Sequence, residues 1–117
     1  MNNTFNSKKE IEAAIKMAIT TNPKKAVSAM LRVFEYQTDS EQRNGDISER
    51  NGVGFAGVDA EILTSFCRQY KTRGYLSDKQ MDTLYKKIGK YAGQLTRQAI
   101  EKGMYVKVGG VWMVNKQ

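Results

Sequence analysis

The sequence predicts a mainly α domain of the α+β class, in which four helices form two helical pairs and a β-hairpin follows at the C-terminus. Three observations predict this fold: apolar residues recur at helical spacing in four segments, helix-capping residues precede them, and after Gly103 apolar residues alternate around a Gly-Gly pair. The 117 residues are enough for one domain. We expect a helical pair in 1–37, a polar, glycine-rich loop in 38–57, a second helical pair in 58–103 and the hairpin in 104–115.

The first helical pair is marked by capping residues. Ser7 begins a capping box, and apolar residues at helical spacing predict a helix over 8–20. Asn22 then caps a second helix whose first position is Pro23, where the missing N–H of proline is harmless. The apolar face of this helix ends near Gln37.

The predicted loop over 38–57 contains a segment that matches the dinucleotide-binding pattern G-x-G-x-x-G, at Gly52–Gly57. A nucleotide-binding loop of this kind follows a buried strand, and no strand-like segment precedes this one. We therefore expect a structural or partner-binding loop, formed by Asn51, Gly52, Gly54, Phe55 and Asp59, with Asp59 as the cap of a third helix that ends at Arg73-Gly74.

The fourth helix is predicted to run without interruption from a capping box at Ser77 to a left-handed stop at Gly103. Its two faces differ in chemistry. Gly89 and Gly93 lie between these faces and predict the close approach of another backbone. One face is an apolar stripe, and the other is a basic ridge that includes Lys79, Lys86, Lys90 and Arg97.

The hairpin is predicted from alternation on both sides of Gly109-Gly110, since both central residues of a type I′ turn need positive φ. In this register one face carries mostly valine, and we expect it to pack on the helices. Trp112 and Lys107 lie on the other face. Trp112 either covers the edge of the core or stacks on an unpaired base.

Composition excludes several classes of function. The chain contains no histidine and one cysteine, Cys67, so it has no internal disulfide and none of the familiar histidine-based zinc sites or catalytic triads. Cys67 lies on an apolar helix face and is predicted to be buried. No apolar segment is long enough to span a bilayer, and we expect a cytoplasmic protein without cofactor, metal or catalytic residues.

The net charge of +7 is concentrated in the second half of the chain. Residues 1–57 contain eight basic and seven acidic side chains, whereas residues 58–117 contain eleven and five. This asymmetry favours an anionic partner, although an ordinary solvated helix face explains the same lysines. Two helices followed by a hairpin are also the order of elements in a winged helix-turn-helix.

The region from Asn51 to Leu95 contains three familiar stretches: NGVGFAGVDAEILTSF, RGYLSDKQ and KYAGQL. Together they resemble a segment of small bacteriophage proteins and of accessory regions of phage or plasmid helicase-like proteins. The resemblance implies a phage setting, in the cytoplasm of the host cell, and work near DNA. It also implies that Asn51, Gly52, Gly54, Phe55 and Asp59 form one packed unit with Gln80 and Tyr91.

The sequence therefore predicts a non-enzymatic nucleic-acid-binding or DNA-metabolism accessory protein, for which DNA is favoured over RNA. The alternative is a module that binds or inhibits a host protein through the 38–57 loop and the hairpin. Self-association through Gly89 and Gly93 is a third possibility, and the oligomeric state stays open. The predicted nucleic-acid contacts are Lys79, Lys86, Lys87, Lys90, Arg97, Lys107 and Trp112.

Overall fold

The computed structural model describes residues 4–44 and 54–115, and for residues 38–44 the backbone alone. The fold is mainly helical with a small antiparallel sheet, and the predicted fold class is confirmed. The helices are α1 (Lys8–Thr21), α2 (Pro23–Asn44), α3 (Gly57–Arg73), α4 (Asp78–Ile88) and α5 (Ala92–Glu101), with a 3₁₀ turn at Gly89–Tyr91 between the last two. The strands are β1 (Thr4–Phe5), β2 (Tyr105–Val108) and β3 (Val111–Val114).

The predicted capping residues hold the ends of the helices. Ser7 and Asn22 each accept a hydrogen bond from the backbone N–H three residues ahead, at 3.3 and 3.2 Å. Ser77 and Gln80 form the predicted capping box of α4. Gly74 ends α3 in the left-handed conformation, at φ +80°, which a residue without a β-carbon adopts at little cost.

The predicted single helix from Ser77 to Gly103 is wrong at its middle, where the 3₁₀ turn separates α4 from α5. Tyr91 departs from helical geometry, at φ −92° and ψ 2°. Glycine is a weak helix former, and Gly89 lies so close to α1 that an added β-carbon would be 3.3 Å from the Thr20 methyl group. The predicted close approach to Gly89 is therefore made by α1 of the same chain.

The predicted loop over 38–57 is shorter than expected at both ends. Residues 38–44 continue α2, because no glycine or proline interrupts the helix before Gly45. At the other end α3 already begins at Gly57, so Asp59 lies in its first turn and is not the cap. Residues 45–53 lie outside the described part of the chain.

The buried core lies where α2, α3, α4 and α5 pack together, and α1 covers it on one side. The predicted apolar stripe of the second helical pair is buried: Leu84, Ile88, Ala92, Leu95 and Ala99 are each at most 5% exposed. Phe55, from the segment that precedes α3, is buried in the same core and contacts the rings of Phe34 and Tyr91. A short connecting segment is thus part of the hydrophobic core.

The sheet has the strand order β1-β3-β2, and all its pairs are antiparallel. The turn at Gly109-Gly110 has positive φ at both residues, and Val108 pairs with Val111 as predicted. Strand β1 was not predicted, since two residues are too few to show alternation.

The valine face of the hairpin, predicted to pack on the helices, is only partly covered, and its Val106 and Val111 are half-buried. On that face Val108 is 56% exposed and Met113 is 37% exposed, and no described strand residue belongs to the buried core. On the opposite face Tyr105 and Trp112 are half-buried as well, since Phe5 of β1 makes an edge-to-face contact with Tyr105 and the Lys8 ammonium lies over the Trp112 ring.

Candidate nucleic-acid interface

Four polar side chains from the end of α4, the 3₁₀ turn and the start of α5 all reach the segment Gly54–Asp59. They are Lys87, Lys90, Tyr91 and Gln94. Their spacing of i, i+3, i+4 and i+7 places them on one side of the helical stretch. We call these four residues the clasp, because together they fix the segment that precedes and begins α3.

Gln94 and Gln37 hold the backbone of the segment. The Gln94 amide accepts a hydrogen bond from the Gly54 N–H at 2.9 Å and donates one to the Gly54 carbonyl at 2.8 Å. Gln37 of α2 accepts from the Phe55 N–H at 2.9 Å. Since these backbone groups are partly buried, the two glutamines replace the partners that water would otherwise supply.

Tyr91 connects the segment to Asp59. Its hydroxyl accepts a hydrogen bond from the Ala56 N–H at 2.9 Å and donates one to the Asp59 carboxylate at 2.7 Å. Asp59 is fully buried, and its two oxygens also receive Lys87 at 3.1 Å and Lys90 at 2.7 Å. A buried carboxylate needs such compensation, because removal from water is costly for a charged group.

The pKa of the Asp59 carboxyl follows from these contacts. Burial raises this pKa, but hydrogen bonds from Lys90, Tyr91 and Lys87, together with the charge of Lys90, lower it by more, so that it falls from 3.8 to about 2. Asp59 is therefore ionised at neutral pH, and its charge is balanced by the clasp.

Lys87 and Lys90, both predicted as nucleic-acid contacts, thus pair with a buried carboxylate of the protein. Their side chains are 30% and 46% exposed, and both ammonium groups are directed at Asp59. A phosphate would therefore compete with the buried Asp59 carboxylate for these two ammonium groups.

The other predicted contacts lie on α4, on α5 and on the sheet. Lys79 and Lys86 are exposed on α4. Arg97 lies on α5, while Lys107 and Trp112 pair directly across the sheet. The sequence suggested one continuous basic ridge from Lys79 to Arg97, but contacts made by the clasp interrupt it in the middle.

Arg97 lines a groove of about 340 Å³ between the start of α1 and α5. The charged side chains that line this groove are Lys8, Lys9, Glu12, Arg97 and Glu101. Lys8 also lies 5.7 Å from the centroid of the Trp112 ring. The groove and the tryptophan are therefore adjacent, which sequence reasoning did not show.

Of the predicted loop residues, Gly54, Phe55 and Asp59 are brought together by the clasp, whereas Asn51 and Gly52 lie outside the described residues. Gln80 is elsewhere: it completes the cap at Ser77 and exchanges two hydrogen bonds of 2.8 Å with Gln69. Sequence reasoning also missed Gln37 and Gln94 as loop partners. The spacing of Lys87, Lys90, Tyr91 and Gln94 was the available signal for a shared helix face.

Gly89 and Gly93, considered for self-association, face α1 of the same chain. An added β-carbon at Gly89 would contact Thr20 and Lys16, and one at Gly93 would lie 3.4 Å from the Glu12 carboxylate. These contacts occupy the surface beside both glycines.

Cys67 is fully buried, as predicted, and burial raises the pKa of its thiol to about 12. Among the side chains of residues 4–37 and 54–115, no group of three acidic or cysteine residues could hold a metal ion. No helix in the described part of the chain combines the length and apolar character needed to cross a membrane.

The chain was also compared with models of protein families, with curated protein sequences and with solved structures, and none of the three comparisons found a match.

Proposed function

We propose that this protein is a non-enzymatic nucleic-acid-binding protein that contacts the phosphate backbone through its basic surface. The observation that carries the proposal is the imbalance of charge among the described side chains. Sixteen are basic and eight are acidic, a surplus of eight, and one of the acidic residues, Asp59, is buried. A surface with this surplus attracts a polyanion and releases the counterions condensed on it.

The proposed phosphate contacts are Lys79, Lys86, Arg97 and Lys107, all of them exposed. Lys87 and Lys90 are reassigned from phosphate contact to the clasp, where they stabilise Asp59. DNA is favoured over RNA because the stretch from Asn51 to Leu95 resembles accessory regions of phage and plasmid helicase-like proteins.

The adjacent pair Lys86 and Lys87 provides a matched test. Each substitution by alanine removes one positive charge, so the two variants have the same net charge and differ only in position. Affinity for a labelled DNA oligonucleotide, measured from about 20 to about 200 mM NaCl, should fall steeply with salt. Lys86→Ala should reduce the slope of log affinity against log salt by about 1. Lys87→Ala should change that slope less and should lower the free energy of unfolding instead.

Absence of binding to DNA and RNA at about 20 mM NaCl would refute the proposal, since phosphate contacts are strongest at low ionic strength. Equal changes of slope in the two variants would show that net charge matters and the assigned positions do not.

A second candidate function, binding to a host protein, is favoured by the exposed apolar side chains of the C-terminal hairpin. Val108, Met113 and Val114 are 56%, 37% and 39% exposed. Val108 and Met113 share one face of the hairpin, and exposed apolar side chains on one face are typical of protein interfaces. Capture of a partner from a nuclease-treated lysate, and loss of that partner on Val108→Asp, would favour this function over nucleic-acid binding. The other predicted contact region, residues 38–57, lies largely outside the described side chains.

A further inference from the structure

We propose that the groove between α1 and α5 binds single-stranded nucleic acid, with Trp112 as the stacking surface for one unpaired base. This inference rests on the proposed function and narrows it to one site and one form of the ligand. Its central observation is that Lys8 belongs to both parts of the site. Lys8 lines the groove, and its ammonium lies 5.7 Å from the centroid of the Trp112 ring.

The groove combines basic side chains from two elements. Lys8 and Lys9 come from the first turn of α1, and Arg97 comes from α5 on the opposite wall. A positively charged groove beside an aromatic side chain is the usual arrangement in proteins that bind single strands. A single strand can follow a groove between two helices and stack one unpaired base on an aromatic ring beside that groove. The bases of a duplex are already stacked on each other.

Trp112 is half-buried, and a cation lies over its ring. The ring face that attracts the Lys8 ammonium can equally stack on a nucleobase, because every base has a π-face. When a base takes this position, the Lys8 ammonium is displaced toward the groove, where a phosphate of the same strand can receive it. Lys107 lies opposite Trp112 on the same face of the sheet and supplies a further phosphate contact.

Two carboxylates, Glu12 and Glu101, also line the groove and reduce its positive charge. Removal of either carboxylate should therefore strengthen binding, whereas removal of a basic side chain from the groove should weaken it. If a phosphate enters the groove, Glu12→Gln and Glu101→Gln should each tighten binding, by about twofold to fivefold, because a like charge near the ligand is removed.

The test uses the intact protein and the fact that Trp112 is its sole tryptophan. Tryptophan fluorescence is measured during titration with an unlabelled oligothymidine of about 15 nucleotides and with a duplex of the same length, at about 20 mM NaCl. The single strand should quench the fluorescence and should bind at least about tenfold more tightly than the duplex. The duplex should leave the fluorescence nearly unchanged.

Variants are compared by anisotropy of a labelled oligothymidine. Lys8→Ala and Arg97→Ala should each weaken binding by about threefold to tenfold, while Lys24→Ala, an exposed lysine of α2 outside the groove, should change it by less than about twofold. Trp112→Leu should weaken binding by about tenfold, and Trp112→Phe should restore most of it because phenylalanine retains an aromatic face. Urea unfolding curves of each variant identify any loss of folding.

The outcomes separate the two proposals. If neither single strands nor duplexes bind, the proposed function itself fails. If both forms bind equally without a change in Trp112 fluorescence, or if the Lys8 and Arg97 variants behave like Lys24→Ala, the groove is overturned as the site while nucleic-acid binding stands.

Discussion

At the scale of single residues, Asp59 organises the candidate site. Its buried carboxylate takes the ammonium groups of Lys87 and Lys90 and the hydroxyl of Tyr91. Removal of one member of such a cluster leaves the others without a charge partner, which costs more than the intact cluster contributes. Lys87 and Lys90 are partly exposed and can turn to water, so this loss is moderated.

Substitution of Asp59 by asparagine should lower the free energy of unfolding by about 2 kcal/mol, the equivalent of the shift of its pKa from 3.8 to about 2. The loss can be measured by urea unfolding at neutral pH. Glu61→Gln, at an exposed position of the same helix, is the matched control and should change stability by less than about 0.5 kcal/mol. Equal stability of the two variants would contradict the assigned role of Asp59.

The contribution of Asp59 should also depend on pH. Its pKa in the folded protein, about 2, is below the ordinary 3.8, so the unfolded chain takes up the proton first as the pH falls. The stabilisation is therefore complete above about pH 4 and is lost between about pH 4 and pH 2. The difference in urea midpoint between the wild type and Asp59→Asn should shrink as the pH falls from about 4 to about 2. A difference that stays constant would contradict a stabilising role of the ionised Asp59 carboxylate.

Gly54 is a position at which the structure requires glycine. It has φ +95°, and a β-carbon there would lie 2.7 Å from Cβ of Gln37. Gly54→Ala should lower the free energy of unfolding by more than about 2 kcal/mol, because backbone strain and crowding act together. Gly74→Ala is the control, since Gly74 has φ +80° but open space around it, and should cost about 1 kcal/mol. Similar losses would show that crowding at Gly54 is unimportant.

At the scale of elements, the short strand β1 connects the N-terminus to the C-terminal hairpin. It pairs with β3, where Phe5 lies opposite Trp112, and the Phe5 ring contacts Tyr105 of β2. An isolated two-stranded hairpin is marginal in water, so a third strand adds the support that the buried core does not give to this sheet.

Phe5→Ala should therefore loosen the sheet more than the helices. The aromatic contact is worth about 0.5–1.5 kcal/mol beyond its buried area, and its loss should speed amide hydrogen exchange in β2 and β3. Amides of the buried part of α3, such as those of Leu63 and Cys67, serve as the internal control and should exchange as in the wild type. Unchanged exchange in the hairpin would mean that β1 does not support it.

At the scale of the whole molecule, the surplus of basic side chains has a cost in stability as well as a use in binding. Sixteen basic and eight acidic side chains are described, so repulsion between like charges favours expansion of the chain. The buried contacts of Asp59 are screened little by salt, whereas repulsion between exposed lysines is screened strongly.

The free energy of unfolding in urea should accordingly rise when NaCl is increased from about 20 to about 200 mM, because screening relieves this repulsion. The same change in salt should weaken nucleic-acid binding, so stability and affinity should respond in opposite directions. A fall in stability with salt would show that favourable surface ion pairs outweigh the surplus charge.

Several features were determined by the sequence alone because they depend on near neighbours in the chain. The caps at Ser7, Asn22 and Ser77, the left-handed stop at Gly103 and the Gly109-Gly110 turn were all predicted. The buried stripe of α4 and α5 was predicted as well, since helical spacing alone shows which residues share a face.

The tertiary structure decided which polar residues remain for a ligand. Lys87 binds Asp59, from which it is separated by 28 positions in the sequence, and Gln94 binds Gly54 across 40 positions. Neither contact is visible in a local pattern. The same holds for the groove, which forms only where the first turn of α1 meets α5 beside Trp112. Sequence periodicity gives the direction in which a side chain points along its own element, but only packing between distant segments determines which group it meets there.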